Sequence, residues 1–251
     1  MEIPLKYSRS HAGWFATPVL RAIARYGMIS QGERVAVALS GGKDSSALLL
    51  ILDYLRRHSH LRFELLGIHV RMGQYDSAPL QALCTALHIP YMETRLEVPL
   101  ELPSRGVCSL CARVKRGAMT RALVVQGIRK LAMGHHAEDL AQTFLMNLAR
   151  GAGLRAFAPV VAVPGQEVEL IRPVVYLREA TLASIHRRAG IPLVGEGCPL
   201  GQETFRIRAR EALRSLQLCL GEDLPTRIVA ALERAAVLGR GPARGTPQVM
   251  G

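Results

Sequence analysis

Arg34-Val35-Ala36-Val37-Ala38-Leu39-Ser40-Gly41-Gly42-Lys43-Asp44-Ser45-Ser46-Ala47-Leu48-Leu49-Leu50 is the stretch that decides the fold. Arg34 to Leu39 reads as a buried strand, and Ser46 to Leu55 as an almost wholly apolar helix. The six residues between them, Ser40 to Ser45, form a glycine-rich connection. Two glycines permit unusual backbone angles and close approach. Successive backbone N–H groups and a helix N-terminus then face one concave site, which suits phosphate. Lys43 adds charge, and Ser40 and Ser45 add hydroxyl donors. The spacing is neither GxxxxGK[ST] nor GxGxxG. The competing reading is a glycine-rich turn with a Ser or Asp cap.

Working outward, the same rhythm repeats. Phe63 to Val70 is predicted as a strand, Ser77 to Leu87 as a helix and Tyr91 to Leu96 as a strand. Cys111 to Val125 follows as a helix and Lys130 to Gly134 as a strand. Leu140, Phe144 and Leu148 would line one face of the next helix. This β-α-β-α order predicts an α/β fold with a parallel sheet covered by helices on both faces. Its ligands would bind outside the carboxyl ends of the strands, where strand order reverses. Two long polar stretches, Glu97 to Val107 and Gly151 to Val168, are expected as functional loops. A strand at Val174-Val175 and helices near 178–188, 204–218 and 225–237 complete the pattern. The expected organisation is an N-terminal helical segment (1–30), a phosphate-binding α/β domain (31–177), a small C-terminal helical appendage (178–238) and a disordered tail (239–251).

Composition narrows the function. The 251 residues carry 32 Lys+Arg against 20 Asp+Glu, a net charge of +12, which fits either plain solubility or a polyanionic partner such as RNA or nucleotide phosphates. From Arg105 to Arg155 the chain has nine basic residues and only two acids, Glu138 and Asp139. Arg206, Arg210 and Arg214 repeat every four residues on one helix face. At 5% aromatic content, base-stacking platforms are not expected. A hydrophobic fraction of 49% excludes a disordered chain. No apolar run reaches the ~18 residues of a membrane span. Met1 to Lys6 shows no export signal, so a soluble cytoplasmic protein without membrane attachment is expected.

Five cysteines, an odd number, fit a reducing compartment. Cys108 and Cys111 form a CxxC, which taken alone could be a redox dithiol, half a zinc site or an iron–sulfur ligand pair. Cys198, between turn residues, is a third candidate ligand. Three thiolates suit an iron–sulfur cluster with one open iron. Zinc would need a fourth ligand, for which His135, His136 or His186 could serve. Cys84 and Cys219 read as small buried hydrophobes.

Ser40-Gly-Gly-Lys-Asp-Ser45 resembles the PP-loop of the ATP pyrophosphatase superfamily. With it, Cys108-Ser-Leu-Cys-Ala-Arg-Val-Lys-Arg-Gly117, Gly134-His-His-Ala-Glu-Asp-Leu-Ala-Gln142, Ile171-Arg-Pro173 and Cys198-Pro-Leu-Gly-Gln-Glu-Thr-Phe-Arg206 resemble TtcA/TtuA-type tRNA thiolation enzymes, the tRNA 2-thiocytidine synthetase-like group. The resemblance spans roughly residues 15 to 220. It implies a doubly wound, five-stranded parallel sheet of the adenine nucleotide alpha-hydrolase (PP-loop) type. It also implies an ATP-dependent transferase that adenylates the C2 oxygen of a tRNA pyrimidine and replaces it with sulfur, cytidine ahead of uridine. Ser40, Gly41, Gly42, Lys43, Asp44, Ser45, His69 and Gly134 would bind the nucleotide. Asp44, Lys115 and Asp139 would be catalytic, and Cys108, Cys111 and Cys198 would hold a [4Fe-4S] cluster, with zinc second. ATP, Mg²⁺ and the cluster are the implied cofactors. tRNA and a sulfur donor (a cysteine desulfurase, a sulfur-carrier protein or free sulfide) are the implied partners, and a homodimer is an expected assembly. Bland roles stand beside these. Lys115 could be an RNA phosphate contact or a surface lysine, and Asp139 a first-turn helix acid. Two other readings stay open: a PP-loop ligase or sulfurtransferase acting on a small molecule, and a non-catalytic nucleotide-dependent RNA-binding protein.

Overall fold

The computed structural model describes residues 5–71, 76–96, 107–191 and 205–239. A short π-helical turn, Ala12–Ala16, runs into α1 (Thr17–Tyr26). The chain then alternates β1 (Arg34–Ala38), α2 (Lys43–His58), β2 (Glu64–Arg71), α3 (Ala78–Ala86), β3 (Tyr91–Arg95), α4 (Val107–Val125), β4 (Lys130–Ala132) and α5 (Ala137–Ala149). A hairpin of β5 (Val160–Ala162) and β6 (Glu169–Ile171) follows, then α6 (Glu179–Ala189), α7 (Phe205–Leu220) and α8 (Leu224–Arg234).

The sheet has six strands in the order β3-β2-β1-β4-β6-β5. β1 is central and pairs in parallel with β2 (Val35↔Leu65) and β4 (Val37↔Ala132). Its side chains alternate between two cores, as strand geometry requires. Val35, Val37 and Leu39 join the core formed with α2, α5 and α6. Ala36 and Ala38 face Met119 and Leu123 of α4. α2 is buried from Ser45 to Leu55, so a solvated face is not needed and the near-continuous apolar run follows. Chain order runs outward from β1 to β2 and β3, then jumps to β4 on the other side. The switch point therefore lies between the carboxyl ends of β1 and β4.

Several expectations change. The sheet has six strands rather than five: β5 and β6, both absent from the sequence reading, pair antiparallel with each other and take the place of the one strand expected after the loop. At three residues β5 is too short to show a period, and it lies within the stretch expected to be loop. The expected strand at Val174-Val175 is a turn instead. Pro173 has no N–H to give to a ladder, and Val175 N–H closes a turn onto the Arg172 carbonyl at 3.2 Å. Both valines are fully buried all the same. Leu148 is half exposed, so the apolar stripe of α5 fades toward its end. Cys84 is buried as expected, but Cys219 is exposed. It sits near the end of α7, a helix that buries only Ala209 and Leu213. Most of the expected loop from Glu97 and the expected tail beyond 239 lie outside the described residues. No described helix is long and apolar enough to cross a membrane.

Candidate functional site

The loop leaves β1 and enters α2 sooner than the sequence suggested. Helix begins at Lys43, so Lys43, Asp44 and Ser45 form its first turn. Gly41 has φ of +84°, a conformation that favours glycine. The two serines organise the loop internally. Ser40 N–H and Oγ both donate to Ser45 Oγ at 3.1 Å, Gly42 N–H donates to Ser40 Oγ at 3.3 Å, and Ser45 Oγ donates to the Gly42 carbonyl at 2.9 Å. No side chain caps α2. The N-terminus of α2, an arrangement that favours anions, therefore lies at the switch point.

Gly134 closes the other side. A Cβ there would lie 3.0 Å from the Asp44 carbonyl carbon and oxygen and 3.1 Å from Ser45 N. The segment after β4 and the first turn of α2 are thus in backbone contact. α5 begins just beyond, with His136 at its N-cap. Two helix N-termini therefore meet at the carboxyl ends of adjacent central strands.

His136 ties the two together. Its Nδ1 is 2.9 Å from Glu138 Oε2, and its Nε2 is 3.4 Å from Asp139 Oδ2 and 3.9 Å from Asp44 Oδ2. Burial opposes charge on this ring, but the surrounding carboxylates outweigh it and raise its pKa. Asp139 Oδ2 also accepts the His136 backbone N–H at 3.2 Å, so the first-turn capping role coexists with a place in the site. Glu138 Oε2 accepts the Glu179 N–H at 2.8 Å, which fixes the start of α6. Lys43 Nζ contacts Asp44 Oδ2 at 3.0 Å and Glu179 Oε1 at 2.8 Å. Burial works against the Lys43 charge, yet these partners raise its pKa overall. Lys43, Glu138, Arg178, Glu179, Arg210 and Arg214 line a cleft of about 300 Å³ between α5, α6 and α7. Sequence reasoning missed Glu138, Arg178 and Glu179 as site residues, because only the packing of α6 on α2 brings Glu179 to Lys43 and Arg178 to the cleft.

His69 stands beside the strand that leads into the loop. Its Nδ1 donates to the Leu39 carbonyl at 2.7 Å and steadies β1 just before the loop. His135, beside His136, behaves oppositely to it. Arg172 Nε donates to His135 Nδ1 at 3.1 Å, and burial together with that guanidinium holds His135 down to about 4. Arg172 is itself buried, its pKa pushed down to about 10 by burial and by Arg116 of α4. That influence brings the basic segment of α4 to the ends of β4 and β6. Cys111 and Lys115 are both half-buried on α4, four residues apart and hence on one face. Cys108 falls in the first turn of α4, where no side chain is described, and Cys198 lies outside the described residues.

For Mg²⁺, the chemistry of the donors fits. Asp44 Oδ1 is buried without a hydrogen-bond partner among the described residues, and a carboxylate oxygen beside a phosphate loop is what Mg²⁺ takes. For a cluster, three cysteine thiolates are the right donor type. Among the described residues no three His, Cys, Asp or Glu side chains gather around a metal position.

Comparison with known proteins agrees with this geometry. The PP-loop domain model matches residues 16–215. A tRNA-cytidine(32) 2-sulfurtransferase of Pelobacter propionicus is 34% identical over 225 residues, covering 86% of this chain and 81% of that protein. Its counterpart in Geobacter sulfurreducens is 35% identical over 188 residues, 72% of this chain and 73% of that one. In structure, the U34-tRNA thiolase NcsA from Methanococcus maripaludis, solved with its [4Fe-4S] cluster, superposes with a TM-score of 0.70 at 20% identity, covering 92% of this chain and 83% of that one. This last likeness establishes the shared fold. The chain belongs to the PP-loop family, and the two relatives just described are tRNA-cytidine(32) 2-sulfurtransferases.

Proposed function

We propose that the protein is an ATP-dependent tRNA sulfurtransferase that converts a cytidine, as in its named relatives, to 2-thiocytidine. The observation that carries this reading is the backbone contact of Gly134 with Asp44, which joins the phosphate loop to the His136–Asp139 segment at the switch point. A C2 carbonyl is a poor electrophile with no good leaving group. Attack of its oxygen on the α-phosphate of ATP forms an O-adenylated base and releases pyrophosphate. Sulfide then adds at C2, and AMP departs with the original oxygen.

The loop from Ser40 to Ser45 holds the β and γ phosphates through its N–H groups and Lys43. Lys43 exchanges Glu179 for phosphate oxygens as ATP enters. Asp44, through its unpartnered Oδ1, and Asp139 would hold Mg²⁺, which neutralises developing phosphate charge when bound. His69 and Gly134 shape the nucleotide site rather than touch the reacting atoms. Lys115 and the basic face of α4 orient the base and its flanking phosphates. Cys108, Cys111 and Cys198 would hold a [4Fe-4S] cluster, whose open iron supplies a binding position for sulfide. Arg206, Arg210 and Arg214 on α7 extend the tRNA contact. This reading places the protein in the cytoplasm, with a separate sulfur donor.

Mass spectrometry of tRNA nucleosides from cells with and without the protein tests the reading. Loss of 2-thiocytidine supports it. Loss of a 2-thiouridine instead corrects the base. No change in either, with pyrophosphate release that needs no tRNA, sinks it in favour of a small-molecule substrate.

A further inference from the structure

Arg172 is only 5% exposed, and it stands at the carboxyl end of β6. A buried guanidinium is retained at a cost, and each of its contacts bears on His135 or its wall. Nε donates to His135 Nδ1 at 3.1 Å, and Nη1 donates to the Ala158 carbonyl at 2.6 Å. The guanidinium carbon lies 4.6 Å from the centre of the Phe157 ring, and that ring lies 5.4 Å from the His135 ring. Because a guanidinium only donates, His135 Nδ1 must accept. The imidazole proton is therefore on Nε2, and that nitrogen has no partner among the described residues. Protonating Nδ1 would set it against Arg172, which agrees with the ring's depressed pKa of about 4.

We propose that Arg172 is a positioning residue that locks His135 as an Nε2–H donor, and that this donor reads N3 of the target base, selecting cytidine over uridine. The proposal rests on the thiolation reading above. Cytosine N3 accepts a hydrogen bond, whereas uracil N3 carries a hydrogen and donates. A free histidine could switch tautomer to accept from uracil. Here the switch would point Nδ1–H at Arg172 Nε–H, so a uracil in the site leaves two donors facing each other on one side or the other. The location suits a base. His135 adjoins the His136–Asp139 segment on the phosphate side, and the nearby charge of Arg116 marks the approach of α4, which carries Cys111 and Lys115. Stacked Phe157 and Arg172 supply a wall for a planar ligand.

The test uses full-length protein prepared anaerobically with its cofactor, ATP, Mg²⁺ and sulfide. Two transcripts of one substrate tRNA differ only by C or U at the target nucleotide, and thiolated nucleosides are quantified by mass spectrometry. Wild type should favour the C transcript by about tenfold or more. Arg172→Met and His135→Gln should each be slower and should lose roughly tenfold of that preference. An unchanged ratio in either folded variant, with only the rate reduced, overturns the inference. Should Arg172→Met fail to fold, His135→Gln and ¹⁵N spectra of the wild-type imidazoles decide it. A His135 proton on Nδ1 overturns the lock. A wild-type enzyme that thiolates neither transcript overturns the proposed function itself, an outcome distinct from an active enzyme with an unaltered ratio.

Discussion

Gly134 and Asp44 are ninety residues apart in sequence, yet a single Cβ on Gly134 would press against the Asp44 carbonyl at 3.0 Å. The neighbour is backbone and cannot swing aside. Gly134→Ala should therefore displace the first turn of α2. The expected cost is about 1–3 kcal/mol of stability from overpacking, with ATP affinity falling at least tenfold. Calorimetric titration with ATP beside a thermal melt separates the two effects. Unchanged ATP binding would show that the loop does not need this contact.

Lys43 is held by Glu179 at 2.8 Å, from the first turn of α6. Phosphate must compete with that carboxylate. Glu179→Gln should tighten ATP binding by a few-fold, whereas Lys43→Met should weaken it by about tenfold or more. Both side chains are partly solvated, so the gain from releasing the pair stays modest. Equilibrium binding of ATP to the two variants checks the opposite signs.

Neighbouring histidines should respond to pH in opposite directions. The pKa of His136 is raised, so its contribution to stability is full below the ordinary value of 6.5 and is lost as pH climbs through the raised one. The pKa of His135 is lowered to about 4, so its contribution is present above 6.5 and is lost as pH falls through 4. Wild type minus His136→Gln should thus be larger in mild acid than in alkali. Wild type minus His135→Gln should shrink as pH is lowered toward 4. Urea unfolding across this range measures both differences.

Tyr26 and Tyr176 both donate to Glu233 Oε1, at 2.9 and 2.6 Å, and clip α1 and the segment before α6 to α8. Removing the acceptor strands two part-buried hydroxyls. Glu233→Ala should cost about 2 kcal/mol in stability and leave ATP affinity unchanged. Denaturant unfolding with parallel ATP titration tests the separation.

The cysteines should divide by function. Cys111→Ala should remove the brown colour and visible absorption of the anaerobic protein. Cys219→Ser, on the exposed end of α7, should leave both intact. A colourless wild type with stoichiometric zinc would replace the cluster with a zinc site.

The sequence by itself determined the central unit. A buried strand, two glycines and an apolar helix in succession permit one local geometry, and Gly41's φ of +84° and the burial of α2 follow from it. Short apolar runs and helical spacing also located β2, β3, α4 and α5. They did not reveal β5 or β6, whose three residues each carry no period, or the turn that stands where a strand was expected after Pro173. Nor did they connect Glu179 to Lys43, Arg172 to His135 or Gly134 to Asp44. These pairs depend on which strands lie adjacent and on α6 packing against α2. Residue type announced each donor and acceptor. Only tertiary structure decided which were buried together, and burial is what sets one histidine's pKa up and its neighbour's down.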